Sequence, residues 1–254
     1  MKKSKSIIAL VILLMMMAVT VTSQPQEVIV VASTSWTGAI AKAAGADEVR
    51  VLAPLELKHP PEYDFRPGDL QRLVNADFLV WAGYEPFITR LQESAGLPPE
   101  QVVKVLTTNT PSNLVEQVTY LGEVFGTKKV AENWVKEFTS AVELMEKRAQ
   151  ESKLSEKRVV VQMHQEGFVR WLGFDVVGVF SAEELSPAKI IEFASLKPDL
   201  VIDNFHNPQG KGISEVAGVP RIEIRNFPGE ADVDISVLFK ENWTKLASFW
   251  EVEE

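Results

Sequence analysis

Beyond its first two dozen residues the chain alternates between two hydrophobic textures. Short, almost unbroken apolar runs, such as Val28-Ile29-Val30-Val31-Ala32, Val159-Val160-Val161 and Leu200-Val201-Ile202, have the length and β-branched content of strands covered on both faces. Between them lie stretches patterned for helices. Ser33, Thr34 and Ser35 offer N-caps to a helix over residues 36–44 that stops at Gly45. The pattern then repeats, with a strand over 49–52, a proline-rich loop over 54–67, a helix from about 69 to 74 and a strand over 78–81. Strands that alternate with helices predict βαβ units and a mostly parallel sheet.

Over residues 112–152 the texture changes. There is no proline, Gly122 and Gly126 are the only glycines, and Val130, Trp134, Phe138, Val142 and Met145 recur at three- and four-residue spacing. This predicts one long helix, or two in succession broken near Gly126. The strand rhythm resumes at 158–163, 176–180, 199–203 and 221–224. The predicted fold class is therefore α/β. Two lobes with mostly parallel sheets flanked by helices, over 27–111 and 158–254, are joined by a long backbone helix over 112–152.

The first 23 residues stand apart. Lys2, Lys3 and Lys5 precede an apolar run over 7–21, followed by small and then polar residues. That order is the order of a secretory signal peptide, and the run is shorter than the roughly 20 residues a spanning helix needs. Export is the expectation, with retention as an N-terminal anchor the alternative. The sequence has no cysteine, which excludes both a lipoprotein-type cleavage site and a disulfide framework. Net charge is -9, and removing the three leader lysines takes it to -12. So acidic a chain is poorly suited to nucleic acid or anionic lipid and suits a receptor for cations.

Candidate chemistry then narrows to three histidines. His59 follows the strand at 49–52, His164 ends the strand at 158–163, and His206 comes just after the strand at 199–203. Ligands of open parallel sheets bind beyond the carboxyl ends of the strands, so all three stand at the binding edge. Imidazole is a common ligand for borderline-soft metals, and zinc favours four nitrogen and oxygen donors. Histidines from both lobes, completed by a carboxylate, would close a site in the cleft between them. Asp232 is the first candidate carboxylate, with Asp234 or Glu62 as alternatives. Trp36, Tyr63, Trp81 and Trp171 are candidates for a cleft wall or for plain packing, and Trp134 belongs to the helical stripe. Asn207-Pro208-Gln209-Gly210-Lys211-Gly212 lacks phosphate-loop spacing and reads as a turn.

These residues resemble a known family, the solute-binding proteins of zinc and manganese ABC importers. Val30-Val31-Ala32-Ser33-Thr34-Ser35-Trp36 is similar to that family's first strand and turn, and residues 59–85 to its first metal-histidine loop with the helix and strand that follow. Val161-Gln162-Met163-His164-Gln165-Glu166-Gly167-Phe168 resembles the motif that carries another ligand, Pro208-Gln209 the late turn, and Asp232 or Asp234 before Asn242 the closing aspartate helix. The chain also departs from the pattern. His59 lies four residues before Tyr63, not two, and Pro61 fills the usual place. Residues 107–111 carry no histidine where the family has its second, while His206 is one the pattern does not supply. The chain lacks the family's His/Asp-rich loop and is shorter than typical members.

The resemblance implies a monomeric, non-enzymatic receptor that captures Zn2+ or Mn2+ between its lobes and delivers it to an importer. The permease and its ATPase would be separate polypeptides, and membrane contact would come only through the permease or an uncleaved leader. With His206 in place of the missing histidine, the ligand set is His59, His164, His206 and Asp232. Three nitrogens and one carboxylate favour zinc over manganese. The alternatives are a receptor of the same architecture for a siderophore, haem or corrinoid, a zinc-dependent hydrolase, and an adhesin. For a hydrolase the sequence offers no H-E-x-x-H and no paired general base, and for an adhesin nothing beyond export.

Overall fold

The computed structural model of the chain describes residues 27–57, 62–230 and 233–250, so the leader, His59 and Asp232 lie outside the described residues. Strand β1 (Ile29–Ala32) feeds helix α1 (Ser35–Ala43), followed by β2 (Glu48–Val51), the short α2 (Asp69–Arg72), β3 (Phe78–Trp81), α3 (Pro86–Ala95) and β4 (Val102–Lys104). Helices α4 (Pro111–Val124) and α5 (Lys128–Glu151) come next. The second lobe runs β5 (Arg158–Gln162), α6 (Glu166–Trp171), β6 (Asp175–Phe180), α7 (Pro187–Ser195), β7 (Leu200–Asn204), α8 (Lys211–Ala217), β8 (Arg221–Ile224) and α9 (Ile235–Trp250).

Each lobe holds one four-stranded sheet, in the orders β2-β1-β3-β4 and β6-β5-β7-β8, and every pairing is parallel. This is the α/β class the alternation predicts. Side-chain period two explains why the inner strands β1, β5 and β7 read as nearly unbroken apolar runs. Val30 and Val80 turn into a core shared by both lobes, whereas Val31 and Leu79 pack on the other side against Phe87, Ile88 and Leu91. In β5, Val159 and Val161 face the shared core and Val160 faces away, as do Leu200 and Ile202 against Val201 in β7. A sheet buried on both faces has no polar alternation to display.

The shared core is what holds the lobes together. Val30, Val103, Phe138, Val159, Ile202 and Phe239 all belong to it, although they come from both sheets, α5 and α9. Full burial of such side chains stabilises by roughly 1.5–3 kcal/mol each, before ordering costs. Several helix ends follow from single residues. Thr34 caps α1 in a reciprocal capping box with Thr37, and Pro86, Pro111 and Pro187 open α3, α4 and α7, where a missing N–H costs nothing.

The helical stretch after residue 111 is two helices. The break falls at Phe125-Gly126-Thr127, and Gly126 takes the left-handed φ of 73° that stops α4. At Gly122 a Cβ would run into that of Ala131, so glycine there lets the two helices fold closely against each other. Thr127 Oγ donates to the carbonyl of Ala44 at 2.6 Å and anchors the start of α5 on the first lobe. Twenty-four residues at about 1.5 Å each carry it roughly 36 Å. Towards its far end Glu146 accepts from Trp171 Nε1 at 2.7 Å, on the second lobe. No described helix is long and apolar enough to cross a membrane.

Candidate functional site

In both sheets the order of the strands reverses beside the first strand, between β1 and β3 and between β5 and β7. Crevices open at such points beyond the strand carboxyl ends. Here the two lobes bring those ends together around one crevice of about 530 Å3. The first lobe contributes Thr34 and Trp36 after β1, Tyr84 after β3, and Thr107, Thr108 and Asn109 after β4. From the second lobe come Met163, His164 and Gly167 after β5, Asn204, His206 and Asn207 at the end of β7, and Asn226 and Phe227 after β8.

His206 is the most constrained of these. The fully buried carboxylate of Asp203 accepts from the backbone N–H groups of Asn204 and Gln209 at 2.8 and 3.1 Å and of Gly210 at 2.7 Å. Arg221 completes the set at 2.7 Å. Those bonds wrap residues 204–210 into a closed turn, and Asn204 Oδ1 accepts from the His206 N–H at 3.1 Å. The imidazole lies flat on Phe227, ring centres 3.6 Å apart and planes 15° apart, and its Nδ1 is 2.9 Å from Asn226 Oδ1. A carboxamide oxygen only accepts, so Nδ1 carries the proton and Nε2 keeps its lone pair. A fixed tautomer of this kind is how outer hydrogen bonds prepare a histidine to ligate. Burial pushes the imidazole down to about 4, the bond to Asn226 restores part of the loss, and the nearby Arg225 charge lowers it again. His206 is therefore neutral at neutral pH.

His164 sits on the other side of the second lobe's reversal. Gln162, the last residue of β5, is fully buried, and its Oε1 accepts from the His164 N–H at 2.7 Å, which starts a turn over Met163–Gln165. Gln165 ties that turn to β8 through the carbonyl of Ile224 at 3.1 Å. His164 itself is exposed to the crevice. The loop after β8 is held from behind, because the carboxamide of Asn242 on α9 bonds both backbone groups of Arg225, at 2.9 and 2.7 Å.

Direct bonds close the floor between the lobes. Ser35 Oγ donates to the Pro228 carbonyl at 2.9 Å, and Asn109 Nδ2 to that of Asn226 at 2.7 Å. Asn109 Oδ1 meanwhile accepts from Trp36 Nε1 at 3.1 Å, which fixes the indole on the crevice wall. Tyr84 is half exposed, but its hydroxyl turns inward on Thr107 at 3.1 Å, and burial of that hydroxyl raises its pKa.

The sequence-predicted residues divide accordingly. His164 and His206 line one crevice. Asp234 Oδ1 accepts from Ser236 N at 2.7 Å and Trp134 Nε1 at 3.2 Å, so it serves the start of α9, and Glu62 is exposed. Of the candidate wall aromatics Trp36 lines the crevice. Tyr63 packs on Phe87 and donates to Asp69, and Trp171 packs on Phe168 and Phe239. Of the turn expected over 207–212, residues 207–210 form it around Asp203, and Lys211 and Gly212 already belong to α8. The sequence reading missed Tyr84, Met163, Asn226 and Phe227; their positions after β3, β5 and β8 were the available signal. Among the described residues no three His, Cys, Asp or Glu side chains come together as a metal cluster.

No protein-family model and no curated protein sequence matches the chain. Solved structures do. The solute-binding protein FpvC of Pseudomonas aeruginosa, in complex with Mn2+, matches with a TM-score of 0.68 at 17% identity, over 90% of this chain and 100% of that one. A Cd-bound periplasmic metal-binding protein of Candidatus Liberibacter asiaticus matches at 0.64 and 14%, over 88% and 99%. The laminin-binding protein Lbp of Streptococcus pyogenes matches at 0.64 and 15%, over 90% and 100%. The chain thus has the two-lobed fold of the metal-binding solute-binding proteins, as the sequence resemblance implied.

Proposed function

We propose that the chain is an exported receptor that captures a divalent transition metal in the interlobe crevice and delivers it to an ABC importer whose permease and ATPase are separate polypeptides. The observation that carries this is the pair of imidazoles, His164 and His206, on either side of the second lobe's strand reversal, with the Nε2 of His206 left as a neutral donor. The similar folds support it: FpvC is described with Ni2+ and with Mn2+, and the laminin-binding protein Lmb of Streptococcus agalactiae as bifunctional, with adhesin and metal transporting activity. Those neighbours are binding proteins or adhesins, which favours a receptor over an enzyme.

In this reading His164 and His206 ligate the metal, and His59 and Asp232 are the proposed further ligands from the segments at 58–61 and 231–232. A nitrogen-rich set favours zinc over manganese. Asp234 is the weaker alternative because its carboxylate already serves α9. Metal content of protein refolded with equimolar Zn2+, Mn2+ and Ni2+ is the test, with calorimetry on the variants. His206→Ala and His164→Ala are each expected to weaken binding at least tenfold while the protein stays folded. Unchanged affinity in both would remove the crevice from the metal's path.

A further inference from the structure

The crevice is much larger than a bare ion requires. An ion with donors about 2.1 Å away fills on the order of 40 Å3, against the observed volume of about 530 Å3. That observed volume falls in the roughly 300–1,000 Å3 range of sites for small organic molecules. Electrostatics point the same way. The described side chains on the wall are imidazole, hydroxyl, carboxamide, thioether and aromatic groups, and none bears a fixed charge. A dication held by these described donors alone would keep its full charge in a half-enclosed site, and an uncompensated, partly desolvated charge is costly.

Described residues beside the segments 58–61 and 231–232 line two separate hollows. Leu55 and Tyr63, on either side of 58–61, line a separate hollow with Arg66 and Asp69. Glu230 and Val233, on either side of 231–232, line another with Arg225. The crevice wall also has flat faces held in place. Trp36 is pinned through Nε1 to Asn109, and Phe227 is stacked on His206, with Tyr84 at the rim. Thr108, Asn204 and Asn207 add neutral hydrogen-bonding groups between these faces.

We propose that the crevice takes its metal as a preformed chelate, an ion already neutralised by an anionic organic ligand with a flat unsaturated face, to which the protein adds imidazole donors. The ligand would supply the negative charge and most of the coordination, and Trp36, Tyr84 and Phe227 would read its face. This inference rests on the metal-receptor reading of the same crevice with His164 and His206 as ligands, and gives the organic ligand the places assigned above to His59 and Asp232.

The test is calorimetric titration of the purified protein with ZnCl2, MnCl2, Fe(III)-citrate, the Fe(III) complex of 2,3-dihydroxybenzoate and haemin, each organic ligand also being run without metal. At least one chelate is expected to bind tenfold or more tightly than either free ion and than its own metal-free ligand. Trp36→Ala is expected to weaken that chelate at least tenfold, and His59→Ala or Asp232→Ala less than twofold. Tyr84→Ala, at the exposed rim, provides the same readout if Trp36→Ala does not fold. Free Zn2+ binding more tightly than every chelate, with loss in His59→Ala and Asp232→Ala, overturns the chelate proposal and leaves the receptor reading standing. Metal-free ligands binding as well as their chelates, or no probe binding at all, sinks both.

Discussion

The two lobes build the same scaffold and put different chemistry on it. β3 and β7 hold the same place in their sheets, and the turn after each is organised by a buried carboxylate. Glu85 accepts from Ser33 Oγ at 2.6 Å and from the N–H groups of Ala82 and Tyr84 at 3.1 and 3.2 Å, so it fixes the turn that carries a phenol. Asp203 gathers three N–H groups and Arg221, and fixes the turn that carries an imidazole. The other ends agree. Thr34 follows β1 where His164 follows β5, and Thr107 to Asn109 follow β4 where Asn226 and Phe227 follow β8. Among the described residues the first lobe thus shapes the crevice with hydroxyls and rings, and the second lobe brings its imidazoles.

Removing the two carboxylates is the strongest way to break that comparison. Asp203→Ala strips three N–H groups of their buried acceptor and leaves Arg221 paired with Glu223 alone, and is expected to cost about 3 kcal/mol, read as a lower urea midpoint with unchanged slope. Glu85→Ala leaves two N–H groups unpaired and the Ser33 hydroxyl with Thr37 alone, and is expected to cost about 2 kcal/mol. Metal binding should separate the pair more sharply than stability does. Asp203→Ala releases the His206 turn and is expected to lower affinity at least tenfold, whereas Glu85→Ala should change it less than threefold. Equal losses would mean that the lobes share the chemistry after all.

How much of this was legible follows from what each residue type can signal. β1, β5 and β7 were readable because burial on both faces demands consecutive apolar residues, whereas the break between α4 and α5 stayed one of two alternatives, since Gly126 alone marks it in an otherwise helical stretch. α3 and β4 went unread: β4 is three residues long with only Val103 buried, too short for any period to show. The place of His164 and His206 at the crevice was legible because imidazole is chemically distinctive and both directly follow strands. Asn226, Phe227 and Met163 were not, since a carboxamide, a phenyl ring and a thioether occur everywhere and only the fold brings them to the crevice. Asn242 shows the same gap, its part in fixing the Arg225 backbone being visible only across seventeen residues of chain.

A smaller effect sharpens the assignment of His206 to the second lobe's chemistry. Its pKa is about 4 in the folded protein against 6.5 when exposed. Between those values the unfolded chain binds the extra proton and the folded one does not, so metal-free protein should lose stability as pH falls from 6.5 to 4, with no further loss from this group below 4. The full shift corresponds to about 3 kcal/mol, and because the ring faces an open crevice, solvent screening brings the expected change to roughly 1–2 kcal/mol. Urea unfolding at pH 7 and at pH 4.5 measures it. The difference should shrink by that amount in His206→Gln; an undiminished difference would assign the acid sensitivity to other groups.

The smallest expected effect tests the seam between the lobes. One carboxamide, that of Asn109, accepts from Trp36 in the first lobe and donates to the backbone of Asn226, whose side chain holds His206, in the second. Asn109→Ala deletes both bonds, but the freed groups border a crevice that water can reach, so the loss should stay near 1 kcal/mol. The shared core of α5, α9 and both sheets would still hold the lobes. The consequence to look for is therefore local: faster hydrogen exchange at Phe227 and in the turn after β7, with protection of β5 and β7 unchanged. Loss of protection across the whole second lobe would show that the interface depends on this polar seam more than on the apolar core beneath it.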